Sequence, residues 1–218
     1  MVILSMKVLE LFSGSQAISN AFRATGHEAY TVDWNSSTKP DLVKDISTLT
    51  VQDILELCGG CPDVIWASPD CTTYSVLALR YYRKKNAITG NSDPTCKQAQ
   101  QADEAVKHTL ALIKALQPRY WFIENPLGAL RKMNFMQGLR RYTVTYCQYG
   151  HPHMKPTDIW SNHTRPMFKP MCKRGAPCHT SAPRNTYSGT VAMKNAAERA
   201  AIPLALCQHI IGITNEQQ

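Results

Sequence analysis

No apolar stretch in this 218-residue chain approaches the ~20 residues that a membrane span needs. The longest, Ile202 to Ile213, is interrupted by Gln208 and His209. The opening Met1-Val-Ile-Leu-Ser-Met-Lys lacks the layout of a signal peptide and runs straight into strand-like sequence. Internal repeats, low-complexity tracts and interdomain linkers are missing too, which excludes solenoids and bead-on-string arrangements. Charge is sparse, 18% against 44% hydrophobic residues, an ordinary globular balance that excludes disorder along the whole length. A disulfide framework is also absent despite eight cysteines, because they fall in unrelated settings: Cys58 and Cys61 near turns, Cys147 and Cys207 in apolar runs. They read as free thiols in a reducing compartment.

What charge there is has one sign. Twenty-four Lys and Arg against 16 Asp and Glu leave a net charge of +8 and a pI near 9.1. Such an excess suits a polyanionic partner, since Lys and Arg gain affinity by releasing phosphate counterions.

Along the chain, short apolar runs alternate with helical periodicity. Val8 to Phe12 is strand-like and stops at Ser13-Gly14-Ser15; Ala17, Ile18, Ala21 and Phe22 then recur at helical spacing until Gly26. Glu28 to Val32 predicts a strand ending at Asp33. Val51 to Leu57 predicts a helix stopped by Gly59-Gly60, and Asp63 to Ala67 a buried strand leading into Ser68-Pro69-Asp70-Cys71. Arg80 to Lys85 and Gly90 to Pro94 are polar and turn-rich, which excludes a regular element there. A helix follows from about Gln98 to Leu116, then strands at Arg119 to Glu124, Tyr142 to Tyr149 and Asp158 to Trp160. Gly175 to Gly189 is loop-like, and Glu198 to Ile211 is apolar enough for a closing helix. The alternation predicts a single α/β domain over residues 1–218 with a doubly wound, Rossmann-like sheet.

Active groups in such folds gather at the carboxyl ends of strands. Glu10, Ser13, Asp33, Ser68 to Cys71 and Glu124 all fall there. Phe12-Ser-Gly-Ser is a turn whose glycine lets a ligand approach the backbone, although a plain βα turn looks the same. Asp33 stands where nucleotide-binding α/β folds place an acid for ribose hydroxyls. Asp45 fits either an adenine amino group or a helix N-cap. A cysteine is more often a buried small hydrophobe than a nucleophile, yet Cys71 follows a strand at the rim of a potential site. Glu124, after four apolar residues, is expensive to bury without a partner.

Leu9-Glu-Leu-Phe-Ser-Gly, Val32-Asp-Trp, Lys44-Asp-Ile, Ala67-Ser-Pro-Asp-Cys-Thr, Phe122-Ile-Glu-Asn-Pro and Tyr149-Gly-His-Pro stand in this order. Together they resemble the ordered motifs of the DNA cytosine C5-methyltransferases, most closely the short phage- or prophage-encoded members. The resemblance runs from about Leu9 to Trp160, and Arg199 to Ile211 is similar to the family's closing cofactor-pocket segment. It implies a sheet of the S-adenosylmethionine-dependent methyltransferase type, with S-adenosylmethionine as cofactor. Phe12, Ser13, Gly14 and Ser15 would wrap that cofactor, with Ser68 and Pro69 beside it; Asp33 and Trp34 would meet its ribose, and Asp45 and Ile46 its adenine. Cys71 would be the nucleophile and Glu124 the carboxyl group at cytosine N3. The partner implied is DNA, the protein a monomer without membrane attachment in the cytoplasm of a bacterial or phage-infected cell. The thiol chemistry leads to the further expectation that the site favours the thiolate.

Departures from the pattern are informative. Asp70 replaces the proline that the family has before its cysteine, and is expected to point away from the thiol. His153-Met-Lys-Pro-Thr157 replaces a Gln-x-Arg-x-Arg run, so Lys155 can stand for the first arginine while Thr157 carries no charge. Only 36 positions separate Asn162 from Glu198, a short loop-rich insertion at about 161–197 where a target-recognition domain is usual. Sequence choice would then rest on a brief context. Arg80, Arg83, Lys84 and Lys85 would contact phosphates from the loop after the nucleophile. Cys172, Cys178 and His179, with His163 nearby, are the candidate metal ligands, but a Cys-x5-Cys-His spacing matches no common finger and no metal is assigned from it. The same chemistry on tRNA, or cofactor and nucleic-acid binding without catalysis, remain as alternatives.

Overall fold

The computed structural model describes residues 5–181 and 196–216. In chain order the elements are β1 (Lys7–Leu11), α1 (Ala17–Ala24), β2 (Glu28–Asp33), β3 (Leu42–Val43), α2 (Val51–Cys58), β4 (Val64–Ala67), α3 (Leu79–Tyr82), β5 (Arg83–Lys85), β6 (Ser92–Pro94), α4 (Lys97–Leu116), β7 (Tyr120–Pro126), β8 (Arg141–Thr145), β9 (Pro156–Ser161), α5 (Ala196–Ala200) and α6 (Leu204–Asn215). Seven strands form one sheet in the order β3-β2-β1-β4-β7-β9-β8. β3, β2, β1, β4 and β7 are parallel, and β9 runs against both its neighbours.

Period-two alternation divides the apolar residues between two layers. Leu9, Leu11, Ile65, Ala67 and Ile123 face one side and pack with Ile54 of α2 and Val106, Ile113 and Leu116 of α4. Val8, Val64, Trp66 and Phe122 face the other, against Ile18 and Phe22 of α1 and Leu206 and Ile210 of α6. With both faces covered, a strand such as β4 must be apolar at every position, and Val-Ile-Trp-Ala is buried throughout. The doubly wound sheet expected from the sequence is what these residues build. α2 begins at a capping box between Thr50 and Asp53 and ends where Gly59 takes φ 59°, the left-handed conformation that glycine adopts without strain.

Three expectations are corrected. The basic stretch is not irregular: β5 and β6 pair antiparallel, Arg83 opposite Pro94 and Lys85 opposite Ser92. Pro94, lacking an N–H, sits at a strand end where no further ladder bond is required. The strand expected over Tyr142 to Tyr149 ends at Thr145, because Tyr146–Tyr149 wind into a 3-10 turn closed by Gly150 at φ 87°. The closing helix is two helices, broken at Ile202-Pro203, since proline cannot continue α5. Of the Gly175 to Gly189 loop, the part beyond residue 181 lies outside the described residues, as do positions 182–195 of the 161–197 insertion.

Candidate active site

The strand order reverses at β1. The chain moves from β1 outward to β2 and β3, then returns to β4 on the other side. Such a reversal leaves a crevice at the carboxyl ends of the two central strands. The turn after β1 enters it with Phe12 at φ 56°, Gly14 at φ 44° and Gln16 at φ 57°. Asp33, at the end of β2, stabilises this left-handed run: its Oδ2 accepts the Gly14 N–H at 2.9 Å and its Oδ1 the Asn35 N–H at 2.8 Å. A cavity of about 460 Å³ opens there, lined by Glu10, Phe12 to Ser15, Ser68 to Thr72, Glu124, Lys155 and Arg199 to Ile202, among others.

Two reactive groups share that cavity. Cys71 follows β4, half-buried, in the turn where the Tyr74 and Ser75 N–H groups bond to its carbonyl. Glu124 lies in β7, buried, and accepts a 2.8 Å hydrogen bond from the Tyr146 hydroxyl. Burial pushes the Glu124 carboxyl up, against Lys155 and the hydroxyls of Tyr146 and Ser68, which favour its ionised form. Ser68 is itself oriented by the Trp66 indole N–H at 2.8 Å. Lys155 donates to the Arg199 carbonyl at 2.7 Å and stands 4.5 Å from the Tyr146 ring centroid. Burial also pushes the Cys71 thiol up, followed by the charges of Glu124 and Asp70, with Lys155 opposing. This corrects the expectation of a site that favours thiolate: two carboxyl groups and a partly dry wall outweigh one ammonium. Asp70 lines the same cavity, its Oδ1 accepting from the Thr72 N–H at 3.0 Å and hydroxyl at 2.7 Å, and its charge reaches the sulfur.

No protein-family model matches the chain. It is 27% identical over 191 residues to a frog virus 3 (isolate Goorha) protein named "probable DNA (cytosine-5)-methyltransferase", covering 84% of this chain and 82% of the relative. Among solved structures, the fold matches an E. coli prophage-encoded protein assigned as a DNA modification methyltransferase, with a TM-score of 0.52, 17% identity, and coverage of 72% of this chain and 46% of that one. It also matches the S. pombe Dnmt2 methyltransferase, with a TM-score of 0.50, 18% identity, and coverage of 72% and 50%. In fold and in motif order the chain resembles a DNA (cytosine-5)-methyltransferase. It spans about half the length of each of these two solved structures.

The remaining positions of the methyltransferase pattern lie at three places. Phe12, Ser13, Gly14, Ser15, Ser68 and Pro69 line the cavity with the reactive pair. Asp33, Trp34, Asp45 and Ile46 lie beyond its lining, at the ends of β2 and β3. Trp34 is 72% exposed, Asp45 caps a 3-10 turn through Ser47, and the Ile46 side chain belongs to the core. Arg80, Lys84 and Lys85 are exposed, but Arg83 is buried and not placed to meet a phosphate. It is 4% exposed and its guanidinium donates to the Thr73 carbonyl (2.9 Å), the Ser92 carbonyl (3.2 Å) and both oxygens of Asp103 (2.7 and 3.2 Å). A buried guanidinium needs such a set of acceptors to offset its desolvation. The signal for this pair was Asp103, a carboxylate in the apolar stripe of α4 between Ala99 and Val106. His163 also departs from expectation: it packs 5.2 Å from the Tyr120 ring, apart from Cys172, Cys178 and His179.

The sequence placed Glu10 at a strand end without giving it a role, and did not single out Tyr146. Tyr146 gave no signal, because only the 3-10 turn aims its hydroxyl at Glu124. Glu10 lines the cavity while its carboxylate accepts the Ser19 N–H at 2.7 Å. Burial pushes it up to about 7 from the usual 4.5. A carboxyl group raised in the fold contributes stability that is complete below its unfolded value and is lost as pH rises through the folded one. The loss between these limits is on the order of 3 kcal/mol. Urea midpoints of the wild type are therefore expected to fall relative to Glu10→Gln from about pH 5 to about pH 8. Parallel pH profiles for the two proteins would show that Glu10 ionises without cost.

Proposed function

We propose that the protein transfers a methyl group from S-adenosylmethionine to C5 of cytosine in DNA, through a covalent bond between Cys71 and C6. The observation that carries this reading is the placement of Cys71 and Glu124 in one cavity at the reversal of strand order, with Lys155 biasing both. The residues present fit the cofactor. The Ser13 hydroxyl is buried with no hydrogen-bond partner among the described residues, and it lines the cavity. Asp33 can accept ribose hydroxyls with lone pairs left over from Gly14 and Asn35. Asp45 would take the adenine amino group and the exposed Trp34 ring its face. When bound, S-adenosylmethionine would supply a methyl group carried on a cationic sulfonium.

Cytosine C5 is a poor nucleophile inside an aromatic ring, and a base in a duplex must leave the stack to reach a pocket. Cys71 gives its proton to solvent and adds through sulfur to C6, while Glu124 passes its own proton to N3 as electron density moves there. The ring becomes an enamine, nucleophilic at C5. After C5 is methylated, water takes the C5 proton, the Cys71 thiolate leaves, and N3 returns its proton to Glu124, which restores the ring. Raised by burial, Glu124 is suited to hold a proton for N3. Lys155 would stand near O2. Arg80, Lys84 and Lys85 would contact phosphates, so binding should weaken with salt. Each good bidentate base contact gives ~1–3 kcal/mol of discrimination, and so short an insertion reads a context of about four bases or fewer.

The test combines a trap with a product assay. A duplex containing 5-fluorocytosine, with cofactor present, is expected to yield a protein–DNA adduct stable to denaturation, because fluorine cannot leave as a proton does. Bisulfite conversion of plasmid from expressing cells should show protected cytosines in one short context. Methylation confined to tRNA, or cofactor binding with neither adduct nor product, would overturn the DNA reading. A strict six-base site would overturn only the proposal on specificity.

A further inference from the structure

Outside the crevice, four ligand-type side chains converge. Cys147 lies in the 3-10 turn after β8, and Cys172, Cys178 and His179 follow β9. Their three sulfurs and one imidazole nitrogen all lie within 4.8 Å of one another. We propose that this cluster is a structural zinc site with a Cys3His ligand set, a site independent of the activity proposed above.

The donors suit the ion. Three soft sulfurs and an imidazole in tetrahedral array select Zn²⁺ over the oxygen-seeking cations. With Zn–S near 2.3 Å and Zn–N near 2.0–2.1 Å, a tetrahedron has S···S edges of about 3.8 Å and S···N edges of about 3.6 Å. Cys147 to Cys178 is 3.7 Å, Cys172 Sγ to His179 Nδ1 is 3.6 Å, and Cys178 Sγ to His179 Nδ1 is 3.5 Å. These edges are already those of a filled site. Cys147 to Cys172, at 3.0 Å, is a short edge, and would open by about 0.8 Å around the metal.

The surroundings hold the ligands in place. The Cys172 N–H donates to the Thr145 hydroxyl at 2.9 Å, and the Thr180 N–H to the Pro152 carbonyl at 3.1 Å. Ser181 Oγ lies 3.3 Å from His179 Nε2, the outer partner that fixes which imidazole nitrogen faces a metal. Three thiolates on Zn²⁺ carry a net negative charge, and Lys173 and Arg174 follow Cys172 directly. The bond network makes chemical sense of the segment: with no helix or strand between Asn162 and Ser181, it lacks a core of its own, and a metal would fasten it to the end of β8. Cys147 adjoins Tyr146, so the same ion would stiffen the turn that aims a hydroxyl at Glu124.

Protein purified under reducing conditions from zinc-supplemented cells should retain close to one zinc per chain by plasma mass spectrometry. Cobalt exchange should produce the thiolate charge-transfer and visible bands of a tetrahedral, sulfur-rich site. Cys178→Ser and His179→Ala, both at half-buried positions, should weaken cobalt binding by more than ~100-fold, beyond what outer-shell changes reach. Where a variant is unfolded by circular dichroism, mercurial titration of the wild type reads the same site: zinc should be released as thiols are consumed. Metal-free reduced protein with no cobalt–thiolate band overturns the proposal. So does titration, after non-reducing denaturation with chelator, of two fewer than the eight thiols of the chain, with peptide mapping that places the missing pair at Cys147 and Cys172 as a disulfide.

Discussion

Cys71→Ser is expected to take methyl transfer below detection and to abolish the adduct with 5-fluorocytosine DNA, while cofactor affinity changes by less than about threefold. A serine hydroxyl is neutral at any pH the fold tolerates and is a far weaker nucleophile than a thiolate, whereas the turn after β1 and the end of β2 are untouched by the change. The thiol itself is held up by burial and by two carboxyl groups. The kcat/KM of the wild type, which reports the free protein's ionisations, should therefore be bell-shaped in pH, because the reaction requires the Cys71 thiolate together with a protonated Glu124. Quench-flow transfer of tritiated methyl groups, with cofactor binding by calorimetry, measures both halves. A serine variant with full activity would sink the covalent mechanism.

Glu124→Gln should lower turnover by at least ~100-fold, the usual size of a lost general acid, with a much smaller effect on DNA binding. Glutamine can still donate a hydrogen bond to N3 but has no proton to deliver as charge develops there. The variant also exchanges a carboxyl oxygen that accepts from Tyr146 for an amide oxygen that can do the same, so the fold should hold. Single-turnover rates and filter binding separate the two effects. A fall of less than about threefold would make Glu124 structural and leave N3 to another partner.

Much of this molecule was legible before its structure. Strand ends announce themselves where an apolar run meets a polar residue, so Asp33, Cys71 and Glu124 could be placed at one edge of a sheet from local pattern alone. Side chains whose meaning depends on a distant partner could not. Arg83 sits in a run of basic residues, and its burial is decided by Asp103, 20 positions later on a helix. Cys147 reads as core until a segment 25 residues on brings Cys172 to it. The ionisation of Cys71 is only partly local: Asp70 stands beside it in the sequence, but its burial comes from the fold, and the larger charge effect comes from Glu124 in β7. Asp45 shows the opposite case, an N-cap evident from spacing whose part in binding a nucleoside rests on resemblance.

Asp103 has one further consequence. Its Oδ1 accepts from the Tyr74 hydroxyl at 2.7 Å, and the same carboxylate receives Arg83. The stretch between these two residues, positions 75–82, a turn and α3, is thus closed at both ends on a single side chain. Tyr74 is fixed from behind as well, since its carbonyl accepts the Ala129 N–H and occupies the space a Cβ on Gly128 would need. Confining the ends of a short segment removes conformational freedom before any ligand arrives, and freedom already given up is not charged again on binding. Val76, Leu77 and Tyr81, exposed on that stretch, would meet a nucleic acid from a narrowed set of positions. A buried carboxylate that touches neither base nor cofactor would then act on affinity through entropy.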